Sequence, residues 1–91
     1  MAAFGEKIPS FPKEYIKYLA EFAVYEYNKK QNAQVLKFVK LITWNREDML
    51  EGFMFTITLE AFNSGINKNK ECEVKVWVPQ ELLDFKIEGN A

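Results

Sequence analysis

The chain has 91 residues, of which 48% are apolar and 15% aromatic, and its twelve basic and thirteen acidic residues leave a net charge of −1. This length suits one domain with a small core, and the aromatic content argues against a disordered chain. The nearly balanced charge argues against nucleic-acid binding, which requires a basic surface.

The N-terminal third predicts an extended arm followed by one long helix. Residues 1–12 contain Gly5, Pro9 and Pro12, which interrupt regular structure and predict an arm. From residue 13 to residue 32 the apolar side chains recur with helical spacing, and Asn32 is suited to end the helix. The residues predicted to face the core are Tyr15, Ile16, Leu19, Phe22, Ala23 and Tyr27. Those predicted to face solvent are Lys13, Glu14, Lys17, Glu21 and Asn28.

Residues 35–87 predict an antiparallel sheet without a second helix. Strands are expected at residues 35–44, 53–62, 70–78 and 82–87, separated by turns. In the second and third strands apolar and polar residues alternate, which is typical of strands with one buried face. The residues that share one side of each strand are Leu36, Phe38, Ile42 and Trp44, then Phe53, Phe55, Ile57 and Leu59, then Cys72, Val74, Val76 and Val78. One helix followed by four strands predicts an α+β fold.

The sequence lacks the residues that most catalytic and metal sites need. It contains no histidine and one cysteine, Cys72, which excludes an internal disulfide, a Ser–His or Cys–His pair and most zinc sites. No acidic cluster has calcium-binding spacing, and no apolar run approaches the ~18 residues of a membrane span. We therefore expect no enzymatic activity, no catalytic residue, no metal, no cofactor and no membrane partner.

The stretch "LAEFAVYEYN", residues 19–28, resembles the helix signature of plant cystatins, Leu-Ala-x-Phe-Ala-Val-x-Glu-x-Asn, at every fixed position. "TLEA", residues 58–61, and "VKVWV", residues 74–78, are also similar to sequences of that family, and they occur in the same order. The resemblance implies a single cystatin domain over residues 1–91, with one long helix packed on a curved antiparallel sheet of four to five strands.

The resemblance also implies a function. Cystatins are reversible, non-covalent inhibitors of papain-like cysteine proteases, and they wedge an N-terminal arm and two hairpin loops into the enzyme cleft. Gly5 corresponds to the glycine of the arm. The first loop, of the form Gln-x-Val-x-Gly in the family, corresponds here to Asp48, Met49, Leu50, Glu51 and Gly52. The second loop, which usually carries Pro-Trp, corresponds to Pro79, Gln80, Glu81 and Leu82. The conserved form is thus altered at Asp48 and Leu50, and the second loop has no Trp.

These departures leave an alternative open. Glu47, Asp48 and Glu51 surround the first loop, and burying an unpaired carboxylate in an enzyme cleft costs several kcal/mol. The chain could therefore be a cystatin-fold binding protein or scaffold, natural or engineered, with weak or no protease inhibition. Gly5 is equally compatible with an ordinary residue of the arm, and Trp44 with either the edge of the core or an exposed contact.

The remaining expectations concern the assembly and location of the chain. The resemblance implies a monomer, or a dimer in which two chains exchange the helix and the first strand. The N-terminus lacks a signal-peptide pattern. The protein is therefore expected to be cytoplasmic, or secreted or vacuolar if a leader has been removed. In the helix, Glu26 is spaced to pair with Lys30.

Overall fold

The computed structural model of the protein describes residues 11–88. Within them lie one helix, α1 (Lys13–Gln31), and four strands, β1 (Leu36–Met49), β2 (Gly52–Asn63), β3 (Lys68–Val78) and β4 (Glu81–Ile87). The predicted arm, except for its last two residues, lies outside the described part of the chain, and so does Gly5. The helix within the described range does not have the long apolar sequence that crossing a bilayer would require.

The helix begins and ends where the sequence predicts. Pro12 precedes it in an extended conformation, with φ −69° and ψ 156°, and Glu14 in the first turn complements the positive end of the helix dipole. At the other end Asn32 adopts a left-handed conformation with φ 57°, and its backbone N–H donates to carbonyl groups of the last turn. This geometry ends the helix, because a residue with positive φ cannot continue it.

The four strands form one antiparallel sheet in the order β1-β2-β3-β4, and the helix packs against one of its faces. The prediction of an α+β fold with one helix on an antiparallel sheet is therefore confirmed. The fully buried core side chains come from α1, β2 and β3, and the largest are Ile16, Leu19, Phe55, Ile57, Leu59, Val74 and Val76. In β2 and β3 the predicted alternation holds, since inward and outward residues follow each other without interruption.

The alternation in β1 is broken by two register shifts, one between Phe38 and Lys40 and one between Leu41 and Thr43. Each shift inserts an extra residue into the strand and so exchanges the two sides of the residues that follow. The prediction that Ile42 shares a side with Leu36 is therefore wrong: Ile42 is 40% exposed, whereas Leu41 lies opposite the buried Leu59. The strand is also five residues longer at its C-terminal end than the predicted 35–44.

Asn28 corrects the predicted helix surface. It was assigned to the solvent side, but it is only 7% exposed and is the buried polar residue of the described chain. Its Oδ1 accepts hydrogen bonds from the backbone N–H groups of Val35 (3.0 Å) and Leu36 (2.9 Å), and its Nδ2 donates to the Leu36 carbonyl (2.8 Å). Buried backbone groups need such partners, and Asn28 supplies them where the chain turns from the helix into β1.

Glu26 of the helix signature is partly exposed. Its carboxylate pairs with Lys29, three residues away, at 3.4 Å, rather than with Lys30, which the helical spacing also made available. Because the Lys29 side chain is largely exposed, this ion pair contributes little to stability. Because the Glu26 carboxylate is partly exposed to solvent, it does not require a buried cation to compensate its charge.

Candidate functional site

The two predicted loops lie side by side at one end of the sheet. The first loop, residues 48–52, joins β1 to β2, and the second loop, residues 79–82, follows β3. Because β2 and β3 are antiparallel neighbours with Phe53 opposite Val78, the start of β2 and the end of β3 meet at the same edge. The structure therefore brings all the predicted site residues of both loops together, and only Gly5 lies outside the described residues.

The first loop is a tight hairpin with an apolar tip. Met49 pairs with Gly52, so the turn itself consists of two residues, Leu50 and Glu51. The Leu50 side chain is 99% exposed, and Met49 beside it is also exposed. Folding therefore removes almost none of the Leu50 surface from water, and only contact with another molecule could do so.

Gly52 is required by the conformation of this hairpin and by its neighbour. Its φ is 101°, a region that side chains rarely allow. A Cβ at this position would lie 1.9 Å from the carbonyl oxygen of Val78, which is far closer than any non-bonded contact. The backbone at the end of β3 therefore packs directly against the first loop, and the spacing between the two loops is fixed by backbone contact.

Trp77 connects β3 to the first loop. Its indole Nε1 donates a 2.9 Å hydrogen bond to the carbonyl oxygen of Glu51 in the turn. The sequence correctly places Trp77 within a strand and on the outer side, away from the helix. It gives no indication of this hydrogen bond, because the two residues are 26 positions apart and no sequence pattern connects them.

The acidic residues of the first loop differ in their surroundings. The Asp48 carboxylate accepts from Arg46 Nε at 3.3 Å. The Arg46 guanidinium in turn lies over the ring of Phe53, 5.0 Å from its centroid, and faces the ring of Phe11 at 5.9 Å. Asp48 therefore already has a cationic partner, which lowers the cost of desolvating it. Glu51 remains exposed, and its backbone rather than its carboxylate makes the contact with Trp77.

The chain enters the helix at the same end of the molecule. Phe11 stacks on Tyr15 with ring centroids 5.2 Å apart and makes edge contacts with Phe53 and Phe55, each at 5.3 Å. These contacts place Phe11, the first described residue of the arm, beside the start of β2. The position of Gly5 remains a prediction.

An open cleft of about 370 Å³ lies between Phe11 and β1, lined by Phe11, Trp44, Arg46 and Phe55. Trp44 is opposite the inward-facing Ile57 but is itself 38% exposed. Of the two interpretations of Trp44, the structure therefore favours an exposed side chain over a packed one.

The second loop has no large apolar tip. Pro79, Gln80 and Glu81 are exposed, whereas Leu82 is half-buried and packs against the core. The exposed leucine is Leu83, at a register shift between β3 and β4. Gln80 Nε2 donates to the Tyr18 hydroxyl at 2.9 Å, and this hydrogen bond connects the second loop to the helix. Neither contact of the second loop was expected from the sequence.

The site contains no group suited to covalent or metal chemistry. Within residues 11–88 no three histidine, cysteine, aspartate or glutamate side chains lie close enough to hold a metal ion. Cys72 is buried opposite Leu59, in the middle of the sheet. Burial, together with the nearby charges of Glu71 and Glu88, raises the pKa of its thiol to about 11, so almost no thiolate exists at neutral pH. The arrangement can bind another molecule through its surface.

Comparison with known proteins reveals relatives over most of the chain. Cysteine proteinase inhibitor A of Helianthus annuus is 48% identical over 73 residues, which cover 75% of this chain and 84% of that protein. Multicystatin of Solanum tuberosum is 44% identical over 77 residues, 79% of this chain but 10% of the larger protein. Cysteine proteinase inhibitor 3 of Arabidopsis thaliana is 41% identical over 76 residues, 78% of this chain and 58% of that protein. No family model matches the chain.

Proposed function

The chain belongs to the plant cystatins, a family of cysteine proteinase inhibitors and not of enzymes, and on this premise we propose that it inhibits papain-like cysteine proteases reversibly and without a covalent bond. The observation that carries the proposal is the fully exposed Leu50 at the tip of the first loop, directly beside the second loop. In this proposal the two loops enter the substrate cleft of the protease together and block it.

Binding would be driven by the burial of the apolar tip. Removing a leucine side chain from water contributes about 1.5–3 kcal/mol, and Met49 adds further apolar surface. The loops are held by the sheet before the protease arrives, so less conformational entropy is lost on association than with a flexible peptide. No bond to the protease nucleophile is needed, so we expect inhibition to be reversed by dilution.

The second loop is expected to contribute less than it does in relatives with an aromatic tip. Aromatic residues often supply a large part of the binding energy of an interface. Here the residue after Pro79 is Gln80, which contacts Tyr18, and Leu82 is turned toward the core. We therefore expect the first loop to dominate binding, with moderate affinity for the protease.

A titration of papain with the folded protein tests the proposal. We expect a dose-dependent loss of activity that is recovered on dilution. Leu50→Ala should weaken this inhibition by about tenfold or more, because the apolar tip is lost. Ile66→Ala is the matched control, since Ile66 is also an exposed apolar loop residue, 51% exposed, but lies in the turn after β2. Absence of inhibition at high micromolar concentrations of folded protein would reject the proposal.

The altered loops favour a second candidate, a cystatin-fold binding protein that inhibits papain-like proteases weakly or not at all. The observation behind it is the exposed acidic residue in each loop, Glu51 and Glu81, together with the lack of an exposed aromatic side chain in the second loop. Restoring the family residues should then create inhibition that the parent lacks. The appropriate variant combines Asp48→Gln and Leu50→Val with Gln80→Trp, because Gln80 directly follows Pro79 and is exposed. Tight inhibition by the parent would exclude this candidate.

A further inference from the structure

We infer that Trp77 is a positioning residue, whose indole holds the first loop in the conformation that binds the protease; this inference rests on the proposed function. The side chain lies on the outer face of β3, opposite Met54 of β2 and Glu81 of β4. From there the indole N–H reaches the Glu51 carbonyl at 2.9 Å. A residue of one hairpin thus holds the turn of the other.

The turn is the part of the first loop that needs support. Leu50 is almost entirely exposed and Glu51 is exposed, so neither side chain packs against the fold. The hydrogen bond from Trp77 restrains the peptide unit between Glu51 and Gly52, one residue beyond Leu50. A restrained turn loses less conformational entropy when a protease binds it, and a preorganised loop binds with a slower dissociation rate.

The same residue also lies where the two loops meet. The site of a Gly52 Cβ lies 3.3 Å from Trp77 Nε1 and 1.9 Å from the carbonyl oxygen of Val78, the next residue in the chain. The indole of Trp77 and the carbonyl group of Val78 therefore occupy the space that a side chain at position 52 would take. Trp77 contacts the first loop through its side chain and leads into the second loop through its backbone.

The other tryptophan provides an internal contrast. Trp44 is 38% exposed, and its indole makes no hydrogen bond within residues 11–88. Two residues of the same type therefore differ in whether their N–H group is used. In nuclear magnetic resonance spectra the chain has only two indole N–H signals, since it contains two tryptophans, and Trp44→Phe identifies which signal belongs to which residue.

The test compares Trp77→Phe with Trp44→Phe. Phenylalanine keeps an aromatic side chain at position 77 and removes the hydrogen-bond donor. We expect Trp77→Phe to speed amide hydrogen exchange at residues 50–52 by about five- to tenfold, while exchange elsewhere in β2 and β3 is unchanged. The inhibition constant for papain should rise by about the same factor, mainly through faster dissociation. Trp44→Phe should leave exchange at residues 50–52 unchanged.

The outcomes separate positioning from general stability. A uniform increase of exchange throughout the sheet would show that Trp77 supports the whole fold, and would overturn the inference. Parent-like exchange at residues 50–52 together with a parent-like inhibition constant would also overturn it. If the parent fails to inhibit papain, the proposed function fails, yet the exchange measurement still decides whether Trp77 holds the first loop.

Discussion

The two ends of the sheet carry different kinds of side chain. Where the helix ends and β1 begins, which we call the closed end, Asn28 makes three hydrogen bonds to the backbone of Val35 and Leu36. The turn after β2 lies at the same end, and there the Ser64 N–H and hydroxyl both donate to the Val35 carbonyl, at 3.0 and 3.2 Å. At this end, polar side chains therefore form hydrogen bonds with the backbone N–H and carbonyl groups.

At the other end, the loop end, apolar side chains face solvent. Leu50 is fully exposed at the tip of the first loop, and Pro79 is exposed in the second. The hydrogen bonds from Trp77 and Gln80 restrain these loops without covering them. The difference indicates that the closed end contributes stability and that the loop end can vary in sequence, as Asp48 and Gln80 do, while the fold is kept.

The largest effect on this contrast is expected from Asn28→Ala. The substitution removes three hydrogen bonds: the N–H and carbonyl of the buried Leu36 lose the amide of Asn28, and the Val35 N–H keeps its 3.0 Å bond to the Ala33 carbonyl. We expect the free energy of unfolding to fall by about 2–4 kcal/mol, measured by urea denaturation. Glu21→Ala, on the exposed side of the same helix, should change it by less than about 0.5 kcal/mol. Equal effects of the two substitutions would show that the hydrogen bonds of Asn28 do not stabilise the closed end.

Gly52→Ala should damage the loop end through its backbone. The residue would need a φ of 101°, and its Cβ would collide with the Val78 carbonyl. We expect a loss of about 1–3 kcal/mol in the free energy of unfolding and at least a tenfold loss of papain inhibition. Ala at position 65, in the turn after β2, is the control, because Gly65 has no positive φ and its Cβ would come no closer than 3.2 Å to the Asn63 side chain. Full inhibition by Gly52→Ala would show that the spacing of the loops is unimportant.

Leu50→Asp should affect binding and leave folding unchanged. The side chain is already in water, so the urea midpoint should stay within experimental error of the parent. In the protease cleft the new carboxylate would be desolvated next to Glu51, and we expect inhibition to weaken by about a hundredfold. Ile66→Asp serves as the counterpart at the closed end. A similar loss of inhibition for both variants would contradict the assignment of binding to the loop end.

The smallest effect at neutral pH concerns Cys72, which lies between the two ends. Burial raises the pKa of its thiol from 9.0 to about 11. The unfolded chain therefore releases this proton at a lower pH than the folded chain, so stability is complete below pH 9.0 and falls as the pH rises toward about 11. The pKa of Tyr15 is raised as well, by burial and by Tyr18. Cys72→Ala should thus reduce, but not abolish, the alkaline loss of thermal stability. An unchanged alkaline slope would contradict this assignment.

Much of the fold follows from local patterns in the sequence. The helical period between Pro12 and Asn32 predicts both ends of α1, and the alternation in β2 and β3 predicts which residues are buried. These predictions succeed because each depends on neighbouring residues and on one regular conformation. The alternation of inward and outward residues fails in β1, because two register shifts change the side of the sheet on which a residue such as Ile42 lies.

The contacts of the site depend on residues far apart in the chain and could not be predicted. The sequence indicates where the loops are, through Gly52 and Pro79. The resemblance to plant cystatins identifies them with the two inhibitory loops of that family. The bonds of Trp77 to Glu51 and of Gln80 to Tyr18 join residues separated by 26 and 62 positions. The role of Asn28 was missed for a different reason: its partners are only seven and eight residues away, but they depend on how the chain turns from the helix into β1.

The binding of the loop end can be measured residue by residue. The isotope-labelled protein is titrated with papain in which alanine replaces the nucleophilic cysteine, and the backbone amide signals are followed by nuclear magnetic resonance. We expect signals from residues 48–52 and 79–82 to shift or broaden, whereas those from the turn at residues 64–67 should keep their positions. Changes confined to the closed end, or no change at any residue at saturating protease, would contradict the assignment of protease binding to the loop end.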